Sequence, residues 1–229
     1  SDGQPVEPGG SVLMTWTVPD TSGGPIFQVG LELGASSGAE LTAFLDSVGW
    51  TGQPRTVLRR PAGKGSLWRK AWVNAFDHEG LFWPESFRLS QDRGTGLLIT
   101  GCREWTDYRV SCDISSDMAA EYGIALRVQG LRRMYSLVVK DNRAVELRKE
   151  LRGRTVLARA RISLQEAAAC NLVLEARGSR LTGYANGKRL FDVTDRRDPL
   201  EGGGLALLCT QGTMATNEVR VEPLEEEKT

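Results

Sequence analysis

The sequence predicts an all-β sandwich, and three observations carry that prediction. Short runs rich in β-branched and aromatic residues recur at regular spacing along the 229 residues, separated by clusters of Gly, Pro and Ser. Within these runs apolar and polar residues alternate with a period of two, as on a strand with one buried face. Helical patterning is nearly missing, while Asn186-Gly187 supplies a dipeptide that accepts φ > 0 at both central positions of a two-residue hairpin. Strands spaced in this way build sandwiches or barrels.

The elements follow in order. "VLMTWTV" (12–18), "IFQVGLEL" (26–33), "LTAFLDSVGW" (41–50) and "RTVLRR" (55–60) make a smaller N-terminal β unit. "PAGKGS" (61–66) has no core-forming residue and reads as a linker. The main sandwich then draws on "FRLSQ" (87–91), "GLLITG" (96–101), "DYRVSCDIS" (107–115), "GIALRVQ" (123–129), "MYSLVVK" (134–140), "AVELRKEL" (144–151) and "TVLARARI" (155–162). It continues through "LEARGSRLTGYANGKRLFDV" (174–193), three strands with reversals at Gly178-Ser179 and Asn186-Gly187, and closes with "GLALLCT" (204–210) and "TNEVRVEPL" (216–224). The expected division is 1–66, the N-terminal unit with its linker; 67–224, the sandwich; and 225–229, a charged tail that frays.

Alternation sorts the faces. Ile124, Leu126 and Val128 point one way and Ala125, Arg127 and Gln129 the other; Tyr108, Val110, Cys112 and Ile114 oppose Arg109, Ser111 and Asp113. One local exception is Ser163, which with Glu166 three residues on can cap a single helical turn before Cys170.

Charge and composition narrow the function. Lys plus Arg (29) equal Asp plus Glu (29), so no net field draws the chain to nucleic acid or an anionic membrane. No apolar run approaches the roughly 20 residues of a membrane span, and the opening "SDGQPVEPGG" lacks the regions of a signal peptide. Ser1-Asp2-Gly3 reads as a processing scar, so the expectation is a piece of a longer protein. Cys102, Cys112, Cys170 and Cys209 are widely spaced and fit buried free thiols, which lean toward a reducing compartment such as the cytoplasm.

The pieces "EWTDYRVSCDI", "GIALRVQGLRRMYSLVV", "LVLEARGSRLTGYANGKRLFDVTD" and "GGGLALLC", spanning Arg103 to Pro223, resemble the concanavalin A-like jelly roll of the laminin-G and 3-keto-disaccharide hydrolase type. The resemblance implies a concanavalin A-like β-sandwich and leaves activity open, because that sandwich serves lectins, hydrolases and adhesion modules alike. The Trp that family often carries before the meander is replaced here by "EAAAC". "TWTVPDTSGGPIFQVGLELG", "LDSVGWTGQP", "LWRKAWVNAFD" and "GTGLLITGCREWTDY" resemble the β-rich C-terminal region appended to some ADP-ribosylglycohydrolase-like proteins. That resemblance implies a catalytic domain upstream in the same polypeptide, since the family's acidic metal-binding motifs are not found in this chain.

The ligand-binding candidates are Arg127, Arg133, Tyr135, Trp105 and Arg109, with Tyr108 beside them. Sugars are held by aromatic faces against their C–H surfaces and by planar donors to pairs of hydroxyls. Against this, Trp105 can plug a sandwich edge and Tyr108 runs in phase with buried residues. Trp50, Trp68, Trp72 and Trp83 are expected to hold the two segments together, with one of them a candidate lining for a ligand groove. His78, between Asp77 and Glu79, is the only histidine and has no nucleophile motif near it. Gly202-Gly203-Gly204 precedes a strand and reads as a turn, not a phosphate cradle. Asp107, Asp113, Asp117, Glu121, Asp192 and Asp195 are glycosidase acids by type alone, and Asp192, Asp195 and Asp198 lack calcium-loop spacing.

The expectation is therefore a non-catalytic carbohydrate-binding or interaction module for a glycan or ribosyl ligand, with no cofactor, metal, nucleic acid or membrane partner. The competing classes are a glycoside-processing enzyme using acids near Arg127 and a structural oligomerisation domain.

Overall fold

The computed structural model describes residues 4–18, 26, 28–34, 42–60, 67–80, 85–165 and 168–224. Fourteen strands are assigned: β1 (Thr56–Leu58), β2 (Val73–Asn74), β3 (His78–Glu79), β4 (Phe87–Thr100), β5 (Tyr108–Asp117), β6 (Glu121–Gly130) and β7 (Arg133–Lys140), then β8 (Ala144–Glu150), β9 (Arg154–Arg161), β10 (Cys170–Arg177), β11 (Arg180–Ala185), β12 (Lys188–Thr194), β13 (Gly204–Thr216) and β14 (Val219–Pro223). A 3₁₀ turn at Leu67–Ala71 precedes β2.

Every pairing is antiparallel. One sheet runs β1-β14-β5-β10-β11-β12. The other runs β4-β13-β6-β7-β8-β9, with the short β2 and β3 on the free edge of β4. The sheets are stitched together by β5, whose last residues pair with β13 (Ser115↔Ala215, Thr213↔Asp117). β13 itself pairs with β6 up to Thr210, passes a bulge at Gln211-Gly212, and takes β5 as its neighbour beyond it.

The main core lies between the sheets. Tyr108, Val110 and Ile114 of β5, and Leu172 and Leu174 of β10, meet Ile124, Leu126, Leu137, Leu147, Leu205 and Leu207 of the second sheet, all fully buried. Each such side chain stabilises the fold by about 1.5–3 kcal/mol relative to leaving it exposed. A smaller cluster, Leu97, Ala125, Val128, Met134, Val138, Ala206 and Leu208, packs apart from this core. Cys112, Cys170 and Cys209 are buried free thiols, and burial pushes Cys170 up to about 11 and Cys209 up to about 12, which keeps them protonated and inert.

From Phe87 onward the strands fall where alternation places them. "FRLSQ" and "GLLITG" join into one strand, because β13 pairs along both and the intervening Asp92–Gly94 bulges out. Of the four strands expected before residue 61, the described residues show one, β1, which pairs with β14 of the main sandwich. The described residues among 4–55 carry no strand, and many of their apolar side chains are exposed, including Leu13, Trp16 and Phe44. Period-two patterning makes a strand only where a neighbour accepts its backbone hydrogen bonds. The expected linker 61–66, the tail 225–229, Trp83 and Glu166 of the capping pair lie outside the described residues.

Candidate functional site

Five connections meet at one end of the sandwich: 101–107, 131–132, 151–153, 178–179 and 195–203. A local departure from alternation organises them. Arg127 has φ of 50°, and the pairing of β6 with β7 shifts between Leu126 and Gly130. The kink carries Val128 into the small cluster beside Ala125, and it turns the Arg127 side chain into the protein.

Arg127 is 1% exposed. Its guanidinium donates to the carbonyls of Thr106 (3.1 Å), Gly178 (2.5 Å) and Leu200 (2.6 Å) and to Asp107 Oδ1 (3.1 Å), fastening three of the five connections. Its backbone N–H donates to Tyr108 Oη, whose hydroxyl lies 2.8 Å from the Gly203 and Gly204 carbonyls. The glycine run lets these segments close up. A Cβ at Gly202 would sit 2.3 Å from the Arg103 carbonyl oxygen, one at Gly203 2.5 Å from the Arg127 carbonyl carbon, and one at Gly204 2.1 Å from the Thr100 carbonyl oxygen. The run is thus a packing joint, in line with its reading as a turn.

Against this joint lies an open cavity of about 510 Å³ lined by Arg103, Thr106, Gln129, Arg133, Glu201 and Gly202. Gln129 Nε2 donates to the Gly202 carbonyl at 2.6 Å and is fixed by it. Arg103, Arg133 and Glu201 are exposed. Trp50 Nε1 donates at 3.1 Å to Oε2 of Glu104, the residue after Arg103 in the chain, while Trp50 stays 59% exposed. The wall therefore offers planar cationic donors, an amide and a carboxylate acceptor.

A second charged group backs the same end. Lys149 Nζ donates to Asp195 Oδ2 (2.6 Å) and to the Arg197 and Asp198 carbonyls, and Tyr135 Oη donates to the same Asp195 oxygen at 2.6 Å. Burial works to raise the Asp195 carboxyl, but these bonds outweigh it and hold it below the usual range. Along the second sheet, Arg148 makes two 2.7 Å bonds to Glu121 and one of 2.6 Å to Glu146, which also binds Arg159. The Arg148 hydrogen bonds hold Glu121 low against the opposing effect of burial.

The expected ligand residues are not brought together. Arg133 lines the cavity, and Trp105 lies near it, its ring edge-on to Tyr108 with centroids 5.7 Å apart. Arg109 lies elsewhere, on β5 between Glu175 of β10 and Glu222 of β14. Arg127, Tyr135 and Tyr108, expected to face a ligand, are instead buried, with their polar atoms bonded internally. Nothing in a single sequence flags a non-glycine residue with positive φ, and that kink is what moves Arg127 from an outer face to the interior. Nothing in the sequence marks Arg103, Gln129 and Glu201 as a group, because Arg103 and Glu201 stand on separate connections and Gln129 at the end of β6.

The six candidate acids are each committed. Asp107 meets Arg127, Asp113 the Asn171 amide, Asp117 Arg88, Glu121 Arg148, Asp192 Arg180, and Asp195 Lys149. Among the described residues no three metal-ligating side chains cluster, and the Lys149 ammonium fills the oxygen-lined bend at 195–198. His78 is exposed, 3.4 Å from Asp92, while Asp77 accepts from Gln91 and Glu79 pairs with Arg69. Trp72 is buried against Phe87, with centroids 5.1 Å apart.

No protein-family model and no curated protein matches this sequence. Solved structures do match in fold. A carbohydrate-binding module, CBM66 from Bacillus subtilis, superposes with a TM-score of 0.59 at 18% identity, over 66% of this chain and 95% of that one. A Bacillus subtilis protein of unknown function with a galectin-like fold gives 0.54 at 14% identity, over 72% and 94%. A native glycosidic hydrolase gives 0.57 at 12% identity, over 77% and 99%. The chain is an all-β, lectin-like jelly-roll sandwich.

Proposed function

We propose that this chain is a carbohydrate-binding module whose ligand enters the loop-end cavity. The observation that carries the reading is the lining of that cavity: guanidinium donors of Arg103 and Arg133, the Gln129 amide and the Glu201 carboxylate around one open space. Those groups match pairs of sugar hydroxyls. The likeness to a carbohydrate-binding module agrees with it.

Binding is favoured over hydrolysis because Glu121, Asp192 and Asp195 are held low by basic partners, whereas a glycosidic general acid needs its pKa raised. The proposal keeps two finer elements from the sequence. Residues 1–66 form a unit of their own, touching the sandwich through β1 and Trp50. The module serves a hydrolase of the ADP-ribosylglycohydrolase-like or glycoside type in the same polypeptide, so ribosyl ligands belong among those tested.

The test is a thermal-shift screen of the chain against oligosaccharides and ADP-ribose, followed by titration. A ligand that binds only the folded state raises the melting temperature. The expected result is a shift with at least one sugar that disappears in Arg133→Ala and keeps its full size in Arg109→Ala. A shift lost in Arg109→Ala and kept in Arg133→Ala would move the site to the other sheet, and no shift with any sugar would overturn the reading.

A further inference from the structure

The zero net charge is a balance between unlike parts. Residues 67–224 carry 24 basic and 20 acidic side chains, residues 1–66 four and six, and residues 225–229 one and three. The basic excess of the sandwich gathers at the loop end. Arg103, Arg132, Arg133, Arg196 and Arg197 are exposed there, and none has an acidic partner within ion-pair distance among the described residues.

The acids of the same connections offset this only in part. Asp107 is bonded to Arg127 and Asp195 to Lys149, leaving Asp198 and Glu201 exposed, with Glu104 exposed too, bonded by Trp50 and attracted by the charge of Arg103 beside it. Several other strand cations are matched, Arg88 by Asp117, Lys140 and Arg148 by Glu121 and Arg180 by Asp192, while Arg161 and Lys188 stand singly on separate strands. Guanidinium groups sharing a cavity wall repel one another, and an oxyanion between them removes that repulsion while accepting two parallel hydrogen bonds.

We propose that the cavity selects an anionic sugar, one bearing a carboxylate or a sulfate, with Arg103 and Arg133 receiving the oxyanion. Gln129 and Glu201 then take ring hydroxyls. This rests on the carbohydrate reading above and narrows its ligand class.

The experiment is calorimetric titration of the whole chain with a tetragalacturonide, its uncharged methyl ester and a heparin-derived tetrasaccharide, at two salt concentrations. One of the two charged sugars, carboxylated or sulfated, binds about tenfold or more tighter than the ester, and the advantage shrinks in high salt. Arg103→Gln and Arg133→Gln each remove the preference. Lys188→Gln, on the hairpin at the opposite end, leaves it intact. Equal affinity for the ester and both charged sugars overturns the anionic assignment and leaves the carbohydrate module standing. No binding by any of the three, together with a blank sugar screen, overturns both. Tighter binding of an RNA tetranucleotide than of either charged sugar overturns the choice of a sugar as ligand.

Discussion

The sandwich holds its charges in two different ways. Inside, Arg127, Lys149 and Arg148 are nearly inaccessible, and each of their donor nitrogens reaches a carbonyl or carboxylate. At the cavity, Arg103 and Arg133 stand in solvent with no carboxylate within ion-pair distance among the described residues. A buried charge is costly unless fully bonded, so the interior set fixes geometry and is dangerous to touch. An exposed charge without a partner adds little to stability and remains available to a ligand. Charged residues of one type thus divide into those bonded into the framework and those left open to solvent, and burial decides which.

The largest effect expected from breaking that division is at Arg127. Arg127→Met leaves the Thr106, Gly178 and Leu200 carbonyls without their donor and should cost about 3–5 kcal/mol, read as a lower urea midpoint. Lys149→Met strands the Asp195 carboxylate and should fall in the same range, about 3–5 kcal/mol, with the bend at 195–200 losing hydrogen-exchange protection first. Gly204→Ala should cost about 2–3 kcal/mol, because its Cβ meets the Thr100 backbone and no flexible side chain can yield.

Acid provides a graded test of the interior set. Glu121 and Asp195 have folded values below their ordinary 4.5 and 3.8, so their contribution is complete above those values and is lost as pH falls through the depressed ones. Thermal melts should therefore hold level from neutrality to about pH 5 and decline below about pH 4. A decline already under way between pH 6 and 7 would point to some other group. The smallest stability effect is at the cavity: Arg103→Gln and Arg133→Gln should each move unfolding by less than about 0.5 kcal/mol while altering ligand affinity. A larger loss would place them in the framework.

Most of the main sandwich was legible from the chain, since alternation at β5 directly encodes one buried face and the nearly unbroken apolar run of β7 a strand buried on both. The division of labour among the arginines was not. "AVELRKEL" alternates as a half-exposed strand should, yet Arg148 and Lys149 are both buried, because ion partners from β6 and the 195–198 bend close over them. The cavity unites Arg103 and Glu201 from two connections with Gln129 at the end of β6 and Arg133 at the start of β7, which only the folded topology brings together. The segment before residue 56 shows the converse, strand-like patterning without strands among its described residues.

The position of β13 bears on how the molecule is made. This strand is nearly the last in the chain, yet in space it lies between β4 and β6 and reaches β5 as well. A ribosome must therefore release almost the whole sandwich before its second sheet can close, and until then β4 and β6 present unpaired edges. Synthesis leaves a waiting period in which those edges are open to wrong partners. Premature termination anywhere before Gly204 would yield a product with no centre to its second sheet, a substrate for chaperones and proteases rather than a smaller working domain.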